Sequence, residues 1–537
     1  MNEPSRTGDS RRVRRRPLPP RTGARGVVVA CACALLAACV LRSTRVEREP
    51  LDVEAARAAE LVTTSFKAWL TDGEVVEFRD GALFSGDSIF GSGLRHAVAA
   101  PSRPMSAVPL DSVVALEVYH EHLNKATTVL LSTAATVGIL TVAAVGTGAL
   151  AVAIFGSCPT VYSASPEGPV LEAETFSYSI APLFEGRDVD RLAAQPDGGV
   201  LRLEVRNEAL ETHYINHLEL LELAHEPDET AFVDAGGRPV AARDLESAVR
   251  VTDRAGRDVS DELAARDERH YRTAPSVLQA ASSRDPLDEL ELVFSPTRGA
   301  EAALVLRLRN SLLSTALLYD VMLSDAGPAA LDWLGRDLAR IPDAVEVGQW
   351  YAANTGIRVW VEGEGGPREV VRIPDEGPIA WSEIAVPVPV TPDDSVRIRL
   401  TFPADSWRID RARLAGAVRP LRALAIPPAR VSGPGGTEEP AALRAVAADD
   451  DERLMTLPGD AFTVEFATSP AQAGTRTYLL ASQGYYVEWL RRDWVRPSGE
   501  QRAFRPSPGA VDAVFESWRA TSGDLEARFE ATRLPVR

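Results

Sequence analysis

Two histidine pairs are the first residues whose spacing suits chemistry. His213 and His217 stand four apart with Glu219 close by, and His120-x-His122 would set both imidazoles on one face of a strand. Imidazole and carboxylate are the usual donors to a zinc-like ion, so either pair could begin a metal site. Neither is followed by a third ligand at a convincing spacing. Ordinary core or surface histidines are therefore the adopted reading, and no metal or cofactor is assigned. The acidic run Asp449-Asp450-Asp451-Glu452 and the pair Asp188-x-Asp190 lack the glycine and the spaced ligands of a calcium loop, and a solvated acidic loop is the default. Trp350, Trp360, Trp381 and Trp407 crowd into one stretch and are the candidate ligand-stacking aromatics, for instance on sugar rings, although tryptophan more often packs a core. Tyr485, Tyr486, Trp489 and Trp494 suit an interfacial aromatic belt or a plain strand pair. No G-x-S-x-G elbow, phosphate-binding loop, H-E-x-x-H or strand-following G-x-G-x-x-G occurs, so no catalytic residue is assigned and an enzyme is the less favoured reading.

Residues 1–38 carry their own logic. Arg11, Arg12, Arg14, Arg15 and Arg16 form a basic run, and an apolar stretch from Gly26 follows until Arg42 closes it. A charged region, a short apolar core and small residues before a break are the grammar of a secretory signal. The core ends in Leu36-Ala37-Ala38-Cys39, which resembles the lipobox of bacterial lipoproteins. That resemblance implies cleavage before Cys39 with Leu36, Ala37 and Ala38 as peptidase recognition, and acylation of the Cys39 thiol, the palmitate label of such proteins. Loss of residues 1–38 would remove eight arginines and two acids, so the net charge of -18 becomes -24. Of the four cysteines only Cys158 would then remain free, which leaves no intrachain disulfide framework.

The elements that must position these residues read as mainly β. Residues 39–60 are a lipidated tether, with helical character over 53–61. Residues 61–122 hold about five short alternating runs bounded by Gly and Asp, the pattern of a small SH3-like or Sm-like barrel. Residues 126–157 contain no charge, exceed what one spanning helix needs, and form the expected apolar membrane-associated segment, a helix or a broken hairpin. A single span would put residues 158–537 across the membrane from residues 40–125; a hairpin would not. Beyond it lie a β-rich domain at 158–283, polar and loop-rich from 228, and a sandwich-like domain at 284–417. A Pro-, Ala- and Gly-rich linker at 418–448 and a C-terminal β segment with a helical tail at 449–537 complete the chain. Residues 329–341 have the spacing of an amphipathic helix, and the tail is helical over 510–528. The strand at 396–402 followed by Trp407-Arg408-Ile409-Asp410 resembles the closing strands of galactose-binding-like jelly rolls.

Residues 157–163 read S-C-P-T-V-Y-S, residues 172–176 read E-A-E-T-F, and residues 216–220 read N-H-L-E-L. With Asp449-Asp450-Asp451, Gly459-Asp460, Phe466 and Gly484-Tyr485-Tyr486, these segments resemble a group of large bacterial envelope lipoproteins over residues 156–490. The resemblance implies a coherent β-rich unit and carries no activity.

A pI near 5.0 leaves no bulk basic surface for nucleic acid. Only Lys67 and Lys125 are lysine among 58 basic residues, which reads as the codon bias of a GC-rich bacterium. The expectation is thus a membrane-anchored lipoprotein of the bacterial envelope, a noncatalytic binding or structural component, leaning extracytoplasmic for residues 158–537. Its expected partners are membrane lipid, through Cys39 and residues 126–157, and a glycan or envelope protein. The alternatives are a hydrolase with scattered acids, and an accessory subunit of an assembly or transport complex.

Overall fold

A computed structural model of the chain describes residues 44–51, 61–123, 158–489 and 504–532, apart from short internal stretches. The signal residues 1–38, Leu36, Ala37, Ala38, the acylation site Cys39 and the apolar segment 126–157 lie outside the described residues. Among the described residues no helix is long and apolar enough to cross a membrane.

Eight strands precede residue 124: β1 (Thr44–Leu51), β2 (Leu61–Val62), β3 (Phe66–Leu70), β4 (Val75–Phe78), β5 (Ala82–Ser85), β6 (Ser88–Ala97), β7 (Ala100–Pro109) and β8 (Val113–Leu123). The next five are β9 (Thr160–Ser165), β10 (Gly168–Glu174), β11 (Gly186–Leu192), β12 (Val200–Arg206) and β13 (Glu211–His225). Ten follow as β14 (Thr230–Asp234), β15 (Pro239–Ser247), β16 (Arg250–Asp253), β17 (Leu287–Phe294), β18 (Glu301–Asn310), β19 (Ile357–Val361), β20 (Arg368–Ile373), β21 (Ser382–Pro389), β22 (Val396–Pro403) and β23 (Trp407–Pro420). The last five are β24 (Ala423–Ile426), β25 (Arg430–Ser432), β26 (Leu454–Thr456), β27 (Ala461–Ala467) and β28 (Thr475–Glu488).

The chain is mainly β, as its alternating runs imply. In β12 the residues Leu201, Leu203 and Val205 point inward while Arg202 faces water, the period-two signature of a half-buried strand. Strand β18 instead is apolar on both faces. Leu304, Leu306 and Leu308 face one core, whereas Ala303 and Val305 face another. The second core is the lumen of a closed five-stranded barrel, β14-β15-β23-β18-β21, filled by Phe232, Val240, Val305 and several alanines. On its other side the barrel packs against the sheet β16-β17-β22-β19-β20.

Strand pairing divides the chain differently from its linear order. The sheets β10-β9-β12-β27-β25 and β11-β28-β13-β24 share one core, so residues 158–225 and 423–488 form a single sandwich with the barrel inserted between them. The segments read as a domain at 158–283 and a C-terminal unit at 449–537 therefore share both sheets. The expected linker 418–448 contains the end of β23, both β24 and β25, and the helix Pro440–Ala447. The expected loop-rich stretch from 228 holds three strands of the insert. Residues 61–122 belong to an eight-stranded sheet that also takes in β1, and the closed barrel lies elsewhere. The amphipathic spacing at 329–341 yields a short π-helical turn at Trp333–Asp337. A 15-residue helix starts where that spacing ends, at Ile341–Thr355, because Pro342 enters its first turn without costing a hydrogen bond.

The small sheet packs on the body, and both fall in one compact unit. Trp69 meets Trp489 edge-on at 6.0 Å between ring centroids, and His96 meets the same indole at 4.9 Å. The Lys67 ammonium lies 4.6 Å above that ring and donates to Thr212 Oγ1 at 3.2 Å, while Trp489 Nε1 donates to the same oxygen at 2.8 Å. One of the two lysines in the chain is thus buried in this joint. Trp489→Ala should cost about 3–5 kcal/mol in denaturant unfolding and expose the small sheet to protease; a loss under about 1 kcal/mol would mean that the joint is not built on this indole.

Candidate functional site

The S-C-P segment ends at the start of β9, and β10 returns antiparallel to it, which sets Cys158 beside Glu174 at the end of the hairpin. The loop from β20 to β21 folds over this end. Glu174 is buried, and one of its oxygens accepts N–H bonds from Ile379 at 2.7 Å and Ala380 at 3.2 Å. The Cys158 Sγ donates to its other oxygen at 3.7 Å. Gly377 has a φ of 85°, and a Cβ there would come within 2.6 Å of the Glu174 carboxylate, so the cradle closes only over glycine. Asp375 accepts the Tyr351 hydroxyl at 2.9 Å and the Gly377 N–H at 3.1 Å. Asn310, at the end of β18, fixes the loop from below: its Oδ1 accepts the Glu376 N–H at 2.7 Å, and its own N–H donates to the Gly377 carbonyl at 2.9 Å.

Burial decides the electrostatics here. It pushes the Glu174 carboxyl up to about 8, opposed by the two loop N–H groups and helped by the charge of Asp375. Asp375 rises to about 6 for the same first reason, opposed by Tyr351 and Gly377. The Cys158 thiol is driven well above its ordinary value by burial and then by Glu174. A thiol so placed is no nucleophile at neutral pH. Asp188, Asp190 and Glu376 carry the acidic cluster outward to part-exposed positions, and all three are also raised, by removal from water first. For Asp190 and Glu376, repulsion from Asp188 adds to the rise. Asp188 also accepts the N–H of Phe176 at 2.9 Å, which holds that residue at a φ of 40°.

The remaining motif segments meet along β13 and β28. Asn216 donates to Glu185 at 2.9 Å and to Asp449 at 3.1 Å, and Gln483 donates to the same Asp449 oxygen at 3.1 Å. Tyr485 stacks on Tyr214 at 4.7 Å, and the Tyr486 hydroxyl donates to the Ser177 carbonyl at 3.0 Å. Gly484 leaves no room for a Cβ, which would lie 2.6 Å from the Tyr214 carbonyl and 2.9 Å from the Phe176 ring. The acidic run at 449 is therefore tied to Asn216 at its start.

His213 and His217 are not brought together. A bulge between Ile215 and His217 shifts the register, so the strand loses the phase that would align residues four apart. His213 is buried, with Nε2 2.9 Å from Glu211 Oε1, whereas His217 is half-buried. His120 and His122 lie on β8 opposite Glu47 and Arg45. Among the described residues no group of three or more His, Cys, Asp or Glu is arranged to hold a metal ion.

The four tryptophans do not form a row. Trp407 is a core residue, fully buried, with Nε1 donating to the Thr355 carbonyl at 2.7 Å, so neither of its faces is open. Trp360 is half-buried on β19, with Nε1 donating to Thr401 at 3.1 Å and Arg399 over its ring. Trp381 is flanked by Arg307 at 4.5 Å and Arg309 at 4.9 Å. Trp350, on the helix Ile341–Thr355, packs against Phe504. The cradle around Glu174 was visible in sequence only as a resemblance, since the loop that completes it comes 200 residues later.

No protein-family model matches the chain, and no curated protein matches its sequence. Among solved structures, the GH31 alpha-xylosidase of Xanthomonas citri is similar at 11% identity and a TM-score of 0.15, over 79% of this chain and 38% of the xylosidase. The chain thus spans less than half of that enzyme. The infectious bursal disease virus Gt strain structure is similar at 9% identity and a TM-score of 0.13, over 70% of this chain and 90% of the viral one. Neither likeness carries an argument about fold or activity.

The raised acids make stability fall as pH rises. Glu174 binds its proton more tightly folded than unfolded, so its contribution is complete below its ordinary value of 4.5 and is lost as pH climbs toward about 8. Its share of the slope is up to about 1.4 kcal/mol per pH unit within that window. Glu174→Gln should flatten the pH dependence of the urea midpoint by one proton; an unchanged slope would show that this carboxyl does not hold a proton in the folded protein.

Proposed function

We propose that this chain is a bacterial envelope lipoprotein, anchored through an acylated Cys39, that serves as a noncatalytic binding or structural component on the extracytoplasmic side. The observation that carries the reading is the use the fold makes of its reactive side chains. Cys158, Glu174, Asp375, Glu211 and His213 are buried where elements meet, and each holds a hydrogen bond there. A general acid or nucleophile must reach a substrate, and these groups reach backbone and one another instead. In the same reading the small sheet is an SH3-like or Sm-like unit beside the membrane, and the insert is a jelly-roll-like sandwich.

The sequence Leu36-Ala37-Ala38-Cys39 supports the anchor, and the joint around Trp489 supports the sidedness. Residues before and after the uncharged stretch 126–157 share buried contacts, Lys67 with Thr212 and Trp69 with Trp489. Packing of that kind favours one side of the membrane for residues 44–123 and 158–532 alike. One observation favours a hydrolase as the second reading: Glu174 and Asp375 are paired acids with raised proton affinity.

Cys39→Ser should abolish incorporation of labelled palmitate and leave the leader attached, read as a larger species on a gel. Undiminished labelling of that variant contradicts the anchor.

A further inference from the structure

We infer that the small sheet rests on a lipid bilayer through an uncharged apolar row on its outer face, an inference that builds on the anchored reading above. Leu61 of β2 is the register partner of Leu83 on β5, Leu83 is the partner of Phe90 on β6, and Phe90 is the partner of Ala107 on β7. Residues directly opposite one another in antiparallel pairs share a face, so the four form one line across four strands. The line faces outward. Leu61 is 58% exposed and Leu83 and Phe90 are each 45% exposed, while their neighbours Ala82, Phe84 and Ile89 point into the core.

The next rung on this face pairs Ser85 with Ser88, and Ser88 also pairs with Pro109, so it adds no charge. Three of the six large exposed hydrophobic residues among those described are in this row; Val170, Val249 and Leu424 are scattered over other elements. A contiguous exposed row in otherwise polar surroundings marks a contact surface.

The chain outside the described residues says what that contact is. Thr44 of β1 and Leu123 of β8 are register partners, so both flanks of the sheet leave it at one point. Cys39 is five residues before Thr44, and the uncharged run begins at Ala126, three residues after Leu123. Five extended residues reach at most about 18 Å, so an acyl chain on Cys39 holds the bilayer close to the β1–β8 edge. The pairs Val118–Phe66, Phe66–Phe78 and Phe78–Gly93 cross from there through β3 and β4 to β6, and Leu123 and Phe90 both extend past that same end of the sheet. Leu and Phe side chains enter the interfacial layer favourably, and tethering lets so short a row suffice by raising its local concentration. The adjoining turns carry the exposed acids Asp80 and Asp87 beside one exposed base, Arg79, so they offer no net positive charge to an anionic surface, which points to zwitterionic lipid.

The test uses the full-length acylated protein in vesicles of phosphatidylethanolamine and phosphatidylcholine. Nitroxide labels are placed one at a time at Leu83→Cys, Phe90→Cys and, as a reference, Val249→Cys; the native Cys158 is buried. Labels at 83 and 90 should collide more with oxygen than with a water-soluble nickel chelate, and the label at 249 should do the reverse. If 83 and 90 are as open to the chelate as 249 while the protein floats with the vesicles, the row is not a lipid contact and the anchor stands. Shielding from both reagents would mean that a protein surface covers the row, which also overturns the inference. A protein that fails to float removes the anchored reading and the row together.

Discussion

Strand β28 lies between β11 and β13, and the rest of the body depends on that placement. It carries residues near the end of the chain back into the sandwich begun by β9–β13, and so encloses the barrel as an insert. Its seat is specific. Gly484 fits only because it has no Cβ to meet the Tyr214 carbonyl and Phe176, and Tyr485 and Tyr486 lock to Tyr214 and Ser177 on either side. A one-residue slip would exchange its two buried faces, which enter different cores, and break all of these at once. Just past its end, Trp489 receives Lys67, Trp69 and His96 from the small sheet. One strand therefore joins sandwich, insert and amino-terminal sheet.

Buried polar groups do the fine positioning. The loop over Glu174 is held by backbone N–H groups on a carboxyl and by Asn310 from below, and water could not replace those bonds in so closed a space. The arrangement tolerates a buried acid because burial raises its affinity for a proton and two loop N–H groups meet its oxygen. It also explains why the Cys158 thiol, buried and donating to Glu174, is shielded and not poised for reaction.

The sequence made individual strands legible far better than their partners. Alternation marks β12, β17 and β22 nearly residue for residue, because one face of each is wet. Their pairing was hidden, since β12 with β27 and β13 with β28 join segments more than 200 residues apart, and no local pattern encodes that. The Pro- and Gly-rich stretch at 418–448 looked like a linker because its strands are too short to alternate visibly. The His213 and His217 spacing suggested a shared face that the strand does not keep, because a bulge changes strand phase without leaving a mark in composition. Around the candidate site, the S-C-P and E-A-E-T-F segments were visible as motifs. Their role as a cradle was not, because Gly377 and Asp375 supply the lid from another sheet.

The functional account stands on the union of the small sheet and the β-rich body, since that union sets where both lie relative to the membrane. Thiol accessibility in unbroken spheroplasts measures it directly, with Thr71→Cys on the small sheet and Ala255→Cys on the body, both at exposed positions. The account predicts that a membrane-impermeant maleimide labels both without lysis. Labelling of one position while the other stays protected until the membrane is opened would contradict it.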